Sequence, residues 1–257
     1  MIFRSEAIVL RRFDYSETSQ IVWMITPRYG MVRTILKGAK RRTKSRGPGG
    51  IDLFWLIEAI WYSKGKGGLC TLSHWEPLVI HSGVRDDLKR LWRAYYVVEL
   101  IGEVGPENLP SPGLYRLSSQ VLEALGRKEL SRERGSLVFL VFLARVLVDM
   151  GTGLRTTNCV DCGGALTGNR PIALAAREGG FRCGNCRHPV DGPVVTAGSV
   201  ALLSVLADGE VLHPQRVRAT GTQLRELWAV LGTYIDLVVG KPLRLTRAVA
   251  GTFRPDS

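Results

Sequence analysis

The sequence predicts an α+β multidomain protein: an N-terminal five-stranded OB-fold β-barrel followed by an α-helical bundle with an inserted four-cysteine zinc module. Three observations carry this. Five short runs rich in Val, Ile, Trp and Thr fill the first 80 residues, a helical period takes over after residue 82, and two CxxC pairs interrupt the helical part at 159–162 and 183–186. The 257-residue chain is 45% apolar and 23% charged, close to ordinary globular usage, so it has the apolar content to bury a core.

The five runs are 2–10, 20–26, 31–37, 53–62 and 69–76, each of strand length and too short for a typical amphipathic helix. Between the second and third, Pro27-Arg28-Tyr29-Gly30 places proline and glycine where a tight turn wants them, so a hairpin is expected. The glycine-rich stretch 63–68 reads as a second hairpin tip, and 38–50 as a long loop without apolar periodicity. Five strands with one long loop suit a small closed barrel, and the OB-fold is the five-stranded form that binds oligonucleotides. This expectation covers residues 1–80.

Past residue 82, Leu88, Leu91, Trp92, Tyr95, Val98 and Ile101 fall on one helical stripe. Further helical stretches follow at 114–125, 133–150 and 200–206. The last stripe, from Leu224 to Val238, has Thr220 and Gln223 as a capping box and Gly240-Lys241-Pro242 as its stop. Residues 81–152 and 196–250 are expected to pack as one helical bundle, with 153–195 inserted as a metal module.

In that insertion, Cys159, Cys162, Cys183 and Cys186 form two CxxC pairs at zinc-site spacing. Two residues between cysteines let both sulfurs of one tight turn converge on an ion, and two such turns supply the four corners of a tetrahedron. Gly163 and Gly184 suit such turns. A thioredoxin-type redox pair lacks its βαβ surroundings here. Four thiolates leave no open position for water, which makes a structural zinc the expectation over a catalytic one. His188 is an alternative ligand, and Cys70, alone in a strand, reads as a small apolar residue.

The longest apolar run, 137–144, stops at Arg145, well short of the roughly 18 residues that span a bilayer. The first residues lack the pattern of a secretory leader, so a reducing cytoplasm is expected, where paired cysteines bind metal before they form disulfides.

The net charge is +12, and it is uneven: +7 over residues 1–80, +1 over 81–150 and +4 over 151–257. Between residues 28 and 46 stand eight basic residues and no acid: Arg28, Arg33, Lys37, Lys40, Arg41, Arg42, Lys44 and Arg46. Clustered cations of this kind track a phosphate backbone through counterion release without reading bases. A merely solvated loop is disfavoured by the length of the run and its lack of acids. Among Trp23, Tyr29, Phe54, Trp55, Trp61 and Tyr62, most are expected in the core, with Tyr29 at its turn the leading candidate to stack a base. No phosphate loop, GxSxG or HExxH motif occurs, and His74, His81, His188 and His213 are scattered, so no enzyme is expected.

Residues 6–10 (Glu-Ala-Ile-Val-Leu), 14–19 (Asp-Tyr-Ser-Glu-Thr-Ser), the Gly30 turn and Lys37-Gly38-Ala39-Lys40-Arg41 together resemble the RecO family of bacterial DNA repair and recombination mediators, over nearly the whole chain. The resemblance implies an OB-fold that binds single- and double-stranded DNA and anneals complementary strands. It also implies work with RecR to load RecA, indirectly, onto DNA coated by single-strand-binding protein, in the cytoplasm at the nucleoid and away from membranes. It maps the family's basic barrel residues onto Lys37, Lys40, Arg41, Arg42, Lys44 and Arg46, and its metal positions onto the four cysteines. Two other readings stay open: an RNA- or ribosome-associated OB and zinc-module protein, and a structural adaptor whose basic loop is incidental.

Overall fold

A computed structural model describes residues 1–39, 50–63, 68–208 and 217–253. It groups them into two compact units: Met1–Asp87 with Ala94–Gly126, and Leu88–Arg93 with Arg127–Ser257.

The first unit is built on a closed barrel with strand order β1-β2-β3-β5-β4, formed by β1 (Ile2–Asp14), β2 (Gln20–Thr26), β3 (Gly30–Leu36), β4 (Leu56–Tyr62) and β5 (Cys70–Val79). This is the OB-fold. β1 runs four residues past its expected end because it serves both sides of the closure. Its Ile2–Ile8 half pairs with β4 and its Ile8–Asp14 half with β2, with a register shift between Val9 and Arg11. A bulge of this kind bends a strand and adds twist, which lets one strand turn a barrel corner. The last seam is short and parallel, Thr34 against Cys70 and Ile35 against Thr71. Inside lie Val9, Val22, Met24, Val32, Ile57, Ala59, Trp61 and Leu72, the inward positions of period-2 strands.

Phe54 delays the start of β4 relative to the apolar run, since its φ of +72° interrupts extended backbone just before the strand. The β2–β3 hairpin forms as expected. The Thr26 hydroxyl accepts from Tyr29 N–H (3.0 Å) and donates to the Gly30 carbonyl (3.1 Å). Gly30 has φ +59°, and a Cβ there would sit 2.1 Å from the Leu109 carbonyl oxygen, so both conformation and packing require glycine.

Two helices belong with the barrel. From Ala94 onward α1 (Leu88–Val104) covers it, with Tyr95 edge-on to Phe54 at 5.0 Å. α2 (Pro112–Leu125) contacts β1, β2 and the 3-10 turn Ser82–Arg85. The apolar face of α2 is spent on the barrel, because Ile8, Leu10 and Ile25 leave the outside of β1 and β2 apolar as well as the inside.

In the second unit α3 (Arg132–Asp149), α4 (Ala197–Asp208) and α5 (Gly221–Val239) pack on one another. α3 is buried at almost every position from Gly135 to Leu147, as a central helix should be. The capping box of Thr220 and Gln223 is present, and Gly240 ends α5 in the left-handed region. A short α6 (Thr246–Gly251), absent from the sequence expectation, follows. Near it, buried Arg93 donates to the Ser136 hydroxyl (2.7 Å) and lies 5.2 Å from the centre of the Phe253 ring. The inserted stretch forms a small sheet of order β7-β6-β8, from β6 (Ile172–Ala175), β7 (Gly180–Arg182) and β8 (Val194–Val195). Among the described residues no helix is long and apolar enough to cross a membrane.

Candidate nucleic-acid face and metal centre

Arg28 is exposed in the β2–β3 turn, Arg33 is exposed on β3, and Lys37 is exposed just beyond that strand. The other five basic residues singled out, Lys40, Arg41, Arg42, Lys44 and Arg46, lie outside the described residues. The three that are described thus follow β3 from one end to the other, toward the start of the basic stretch.

Arg33 is not simply a solvated cation. β2 and β3 pair Trp23 with Arg33, and β1 and β2 pair Arg11 with Trp23, so the three side chains form one row across three strands. The Arg33 guanidinium lies 4.2 Å and that of Arg11 4.9 Å from the centre of the indole ring. Phe13 meets the same ring edge-on at 5.9 Å. Two carboxylates complete the row: Glu103 on α1 pairs with Arg11 (2.6 Å), and Glu107 pairs with Arg33. Glu107 is fixed because its backbone bridges to Gly30 and Met31, while the neighbouring Pro106 carbonyl accepts from Met31 N–H.

Tyr29, the leading stacking candidate, is half-buried. It makes T-shaped contacts with Phe3 (5.1 Å) and Trp61 (5.4 Å) at the margin of the barrel core. Trp55 likewise packs inward, tilted against Trp75, and Phe54 is buried. Trp23 lies on the outer face of β2 and is half-buried. The signal was present in β2, where Val22 and Met24 point into the core and period 2 sends Trp23 the other way. Arg11 carried no local signal, since it joins the row only through the β1–β2 register.

In the second unit the four cysteine sulfurs lie within 4.8 Å of one another and form a group that can hold a metal ion. The first turn is closed by Gly163 N–H donating to the Cys159 carbonyl (3.0 Å), with Gly163 at φ +71°. The second is closed by Cys186 N–H donating to the Cys183 carbonyl (3.0 Å). Gly184 serves by close approach rather than by φ, since a Cβ there would lie 3.1 Å from that of Arg170. Val160 N–H donates to the Phe181 carbonyl and locks the first turn onto β7, which leads straight into the second.

The donor set fits a tetrahedral ion. A metal with sulfur arms of about 2.3 Å has sulfur–sulfur edges of about 3.8 Å, and Cys162 and Cys183 are 3.8 Å apart. Burial works against ionisation of Cys159, but hydrogen bonds from the backbone of Cys162, Cys183 and Asp161 outweigh it and hold that thiol down at about 6. Cys186 is pushed up to about 12 by hydrogen bonding with the neighbouring thiols Cys162 and Cys183 and by the charge of Cys159. Four thiolates therefore resist coexisting until a cation joins them. His188 is exposed and lies outside the four-sulfur group.

Arg182 ties the module together. Its guanidinium donates to Asp161 (2.8 Å), Glu178 (2.8 Å) and Asp191, and its side chain is only 11% exposed. Asp161 lies inside the first CxxC, and Cys183 follows Arg182, so one cation links both metal-binding turns. Hydrogen bonds to these acids hold the Arg182 pKa above its ordinary value.

A closed OB barrel with cations along β3, joined to helices that carry a four-cysteine module, defines a multidomain OB-fold protein with a metal-binding insertion. Residues 1–80 match the family described as Recombination protein O N terminal, and residues 85–247 match Recombination protein O C terminal. The chain belongs to the recombination protein O (RecO) family. Relatives named DNA repair protein RecO include that of Moorella thermoacetica, 32% identical over 244 residues, covering 95% of this chain and 88% of its own length. That of Geobacter metallireducens is 34% identical over 225 residues, 86% of this chain and 88% of its own. That of Alkaliphilus metalliredigens is 29% identical over 237 residues, 91% and 93%.

Proposed function

We propose that this protein is a DNA repair and recombination mediator without catalytic activity, which binds single- and double-stranded DNA and anneals complementary strands. With RecR it helps RecA onto single strands coated by single-strand-binding protein. The observation that carries this is the closed OB barrel whose β3 carries exposed Arg33, with exposed Arg28 before it and Lys37 after it, and which continues in sequence into Lys40, Arg41, Arg42, Lys44 and Arg46. The names of the relatives point the same way.

The chemistry asked of these residues is electrostatic. Two strands approach when cations screen their phosphates and release condensed counterions, and no bond needs to be made or broken. In this reading residues 1–80 hold DNA, and the helices of 81–152 and 196–250 present the surface for protein partners. The 153–195 module uses Cys159, Cys162, Cys183 and Cys186 to bind one structural zinc, which shapes the chain and supplies no reactive position. The site of action is the cytoplasm, at the nucleoid.

Strand annealing measured at rising salt tests the proposal. Annealing should be fast at low salt and fall steeply as salt rises, and the triple variant Lys40→Ala, Arg41→Ala, Arg42→Ala should lose most of it. A protein that anneals nothing at low ionic strength, or that strongly prefers structured RNA over single-stranded DNA in competition, overturns it.

A further inference from the structure

The row Glu103, Arg11, Trp23, Arg33, Glu107 serves neither the barrel core nor the metal module, and it stands on the β2–β3 face that OB-folds use for oligonucleotides. We infer that Trp23, Arg11 and Arg33 form a base-stacking platform for single-stranded DNA, and that Glu103 and Glu107 occupy its cations until strand phosphates displace them. This rests on the DNA-binding reading above and deepens it.

Four features support the assignment. Trp23, half-buried on the outer face of β2, is already in contact with two guanidiniums, the combination that holds an unpaired base by stacking while its phosphate meets a cation. Phe13, beside it and 47% exposed, extends the aromatic surface. The two ion pairs each run through a single guanidinium nitrogen, in contrast to the exposed Arg4–Glu58 pair, which makes three hydrogen bonds. A guanidinium carries five N–H donors, so a singly held arginine keeps others for phosphate. Finally, both carboxylates come from the same stretch, 103–107, which is anchored to the start of β3, so the acids stand at fixed places beside the platform.

The carboxylates thus compete with the DNA backbone. They keep the face electrically quiet, and every strand that binds must replace them. They set the affinity of the platform without touching a base.

Equilibrium binding of a labelled oligo-dT and of a duplex of equal length to the full chain tests this, with thermal unfolding as the control for folding. Trp23→Leu should weaken oligo-dT binding roughly fivefold to a hundredfold, the range of one stacked base, and duplex binding by much less, because paired bases are not free to stack. The double variant Glu103→Gln, Glu107→Gln keeps the shape of both side chains. It should tighten oligo-dT binding roughly threefold to tenfold and steepen its salt dependence by about one to two cations. If Trp23→Leu fails to fold, the double variant decides by itself. Unchanged or weaker oligo-dT binding by the double variant overturns the competition. Equal losses on oligo-dT and duplex, or none, in a folded Trp23→Leu protein overturn the platform. A wild-type chain that binds neither probe sinks the DNA-binding reading and this inference with it, whereas a wild type that binds both while the variants change nothing sinks only the inference.

Discussion

Arg182 donates from Nε to the carboxylate of Asp161 at 2.8 Å, joining β7 to the middle of the first cysteine turn. Two further acids meet the same guanidinium, and one of them, Asp191, is 3% exposed. Removing a cation from such a cluster strands its carboxylates. Arg182→Ala should therefore destabilise the module by about 2–3 kcal/mol, less than for a fully buried pair because Asp161 and Glu178 reach solvent. A faster loss of the bound metal to a colorimetric chelator measures it; a release rate equal to that of the wild type would contradict the role assigned to Arg182.

Metal removal should act on one part of the chain. A strong chelator, or Cys159→Ser, should lower the unfolding temperature and abolish metal content near one ion per chain, since a structural site contributes its binding energy to folding. Oligonucleotide binding at low salt should persist, because the barrel core of Val22, Met24, Ile57 and Trp61 contains none of the four ligands. Metal analysis and anisotropy on the same sample check both halves.

Gly30→Ala should cost about 3 kcal/mol or more. Its φ of +59° disfavours any side chain, and the new Cβ would meet the carbonyl oxygens of Leu109 and Pro106 at 2.1 and 2.4 Å. Calorimetric unfolding of the variant is the check, and a melting curve matching that of the wild type would show that the 106–109 segment yields freely.

His81 gives the barrel unit a pH signature. Burial lowers its pKa, partly opposed by Glu123, and its Nε2 has no hydrogen-bond partner. The unfolded chain therefore binds a proton more readily than the folded one. The stability that neutral His81 permits is complete above the ordinary histidine value near 6.5, and falls as pH drops from there toward the lowered folded value. His81→Gln should flatten that slope in denaturant titrations between pH 7 and 5.

Salt slopes should separate the cation in the β2–β3 turn from the one on β3. Arg28→Ala should reduce the slope of oligonucleotide binding by about one, the signature of a lost phosphate contact. Arg33→Ala should shift it by less, because Glu107 already neutralises part of that charge in the free protein. Binding titrations at four or five salt concentrations resolve the difference.

Much of this was legible locally. The CxxC spacings announced a four-sulfur site because a tight turn between two cysteines is a property of four consecutive residues. The same holds for the Pro27–Gly30 hairpin and the Thr220–Gln223 cap, whose geometry closes within a few bonds. Five short apolar runs with one long loop announced a five-stranded barrel, and the structure places Val22, Met24 and Ala59 inside it.

Other features were decided by contacts between distant parts of the chain. Arg11, Trp23 and Arg33 meet because two registers and one bulge align them, and nothing within any one strand specifies that alignment. Tyr29 stands at its turn, and only the arrival of Phe3 from β1 and Trp61 from β4 half-buries it. α2 carries a stripe that suits any apolar partner, and only the doubly apolar outside of β1 and β2 directs it to the barrel. Short-range order follows from torsions and turn chemistry written in adjacent residues. Which side chains become neighbours across strands, and so which surface can hold a base, depends on long-range packing that is settled only when the whole barrel closes.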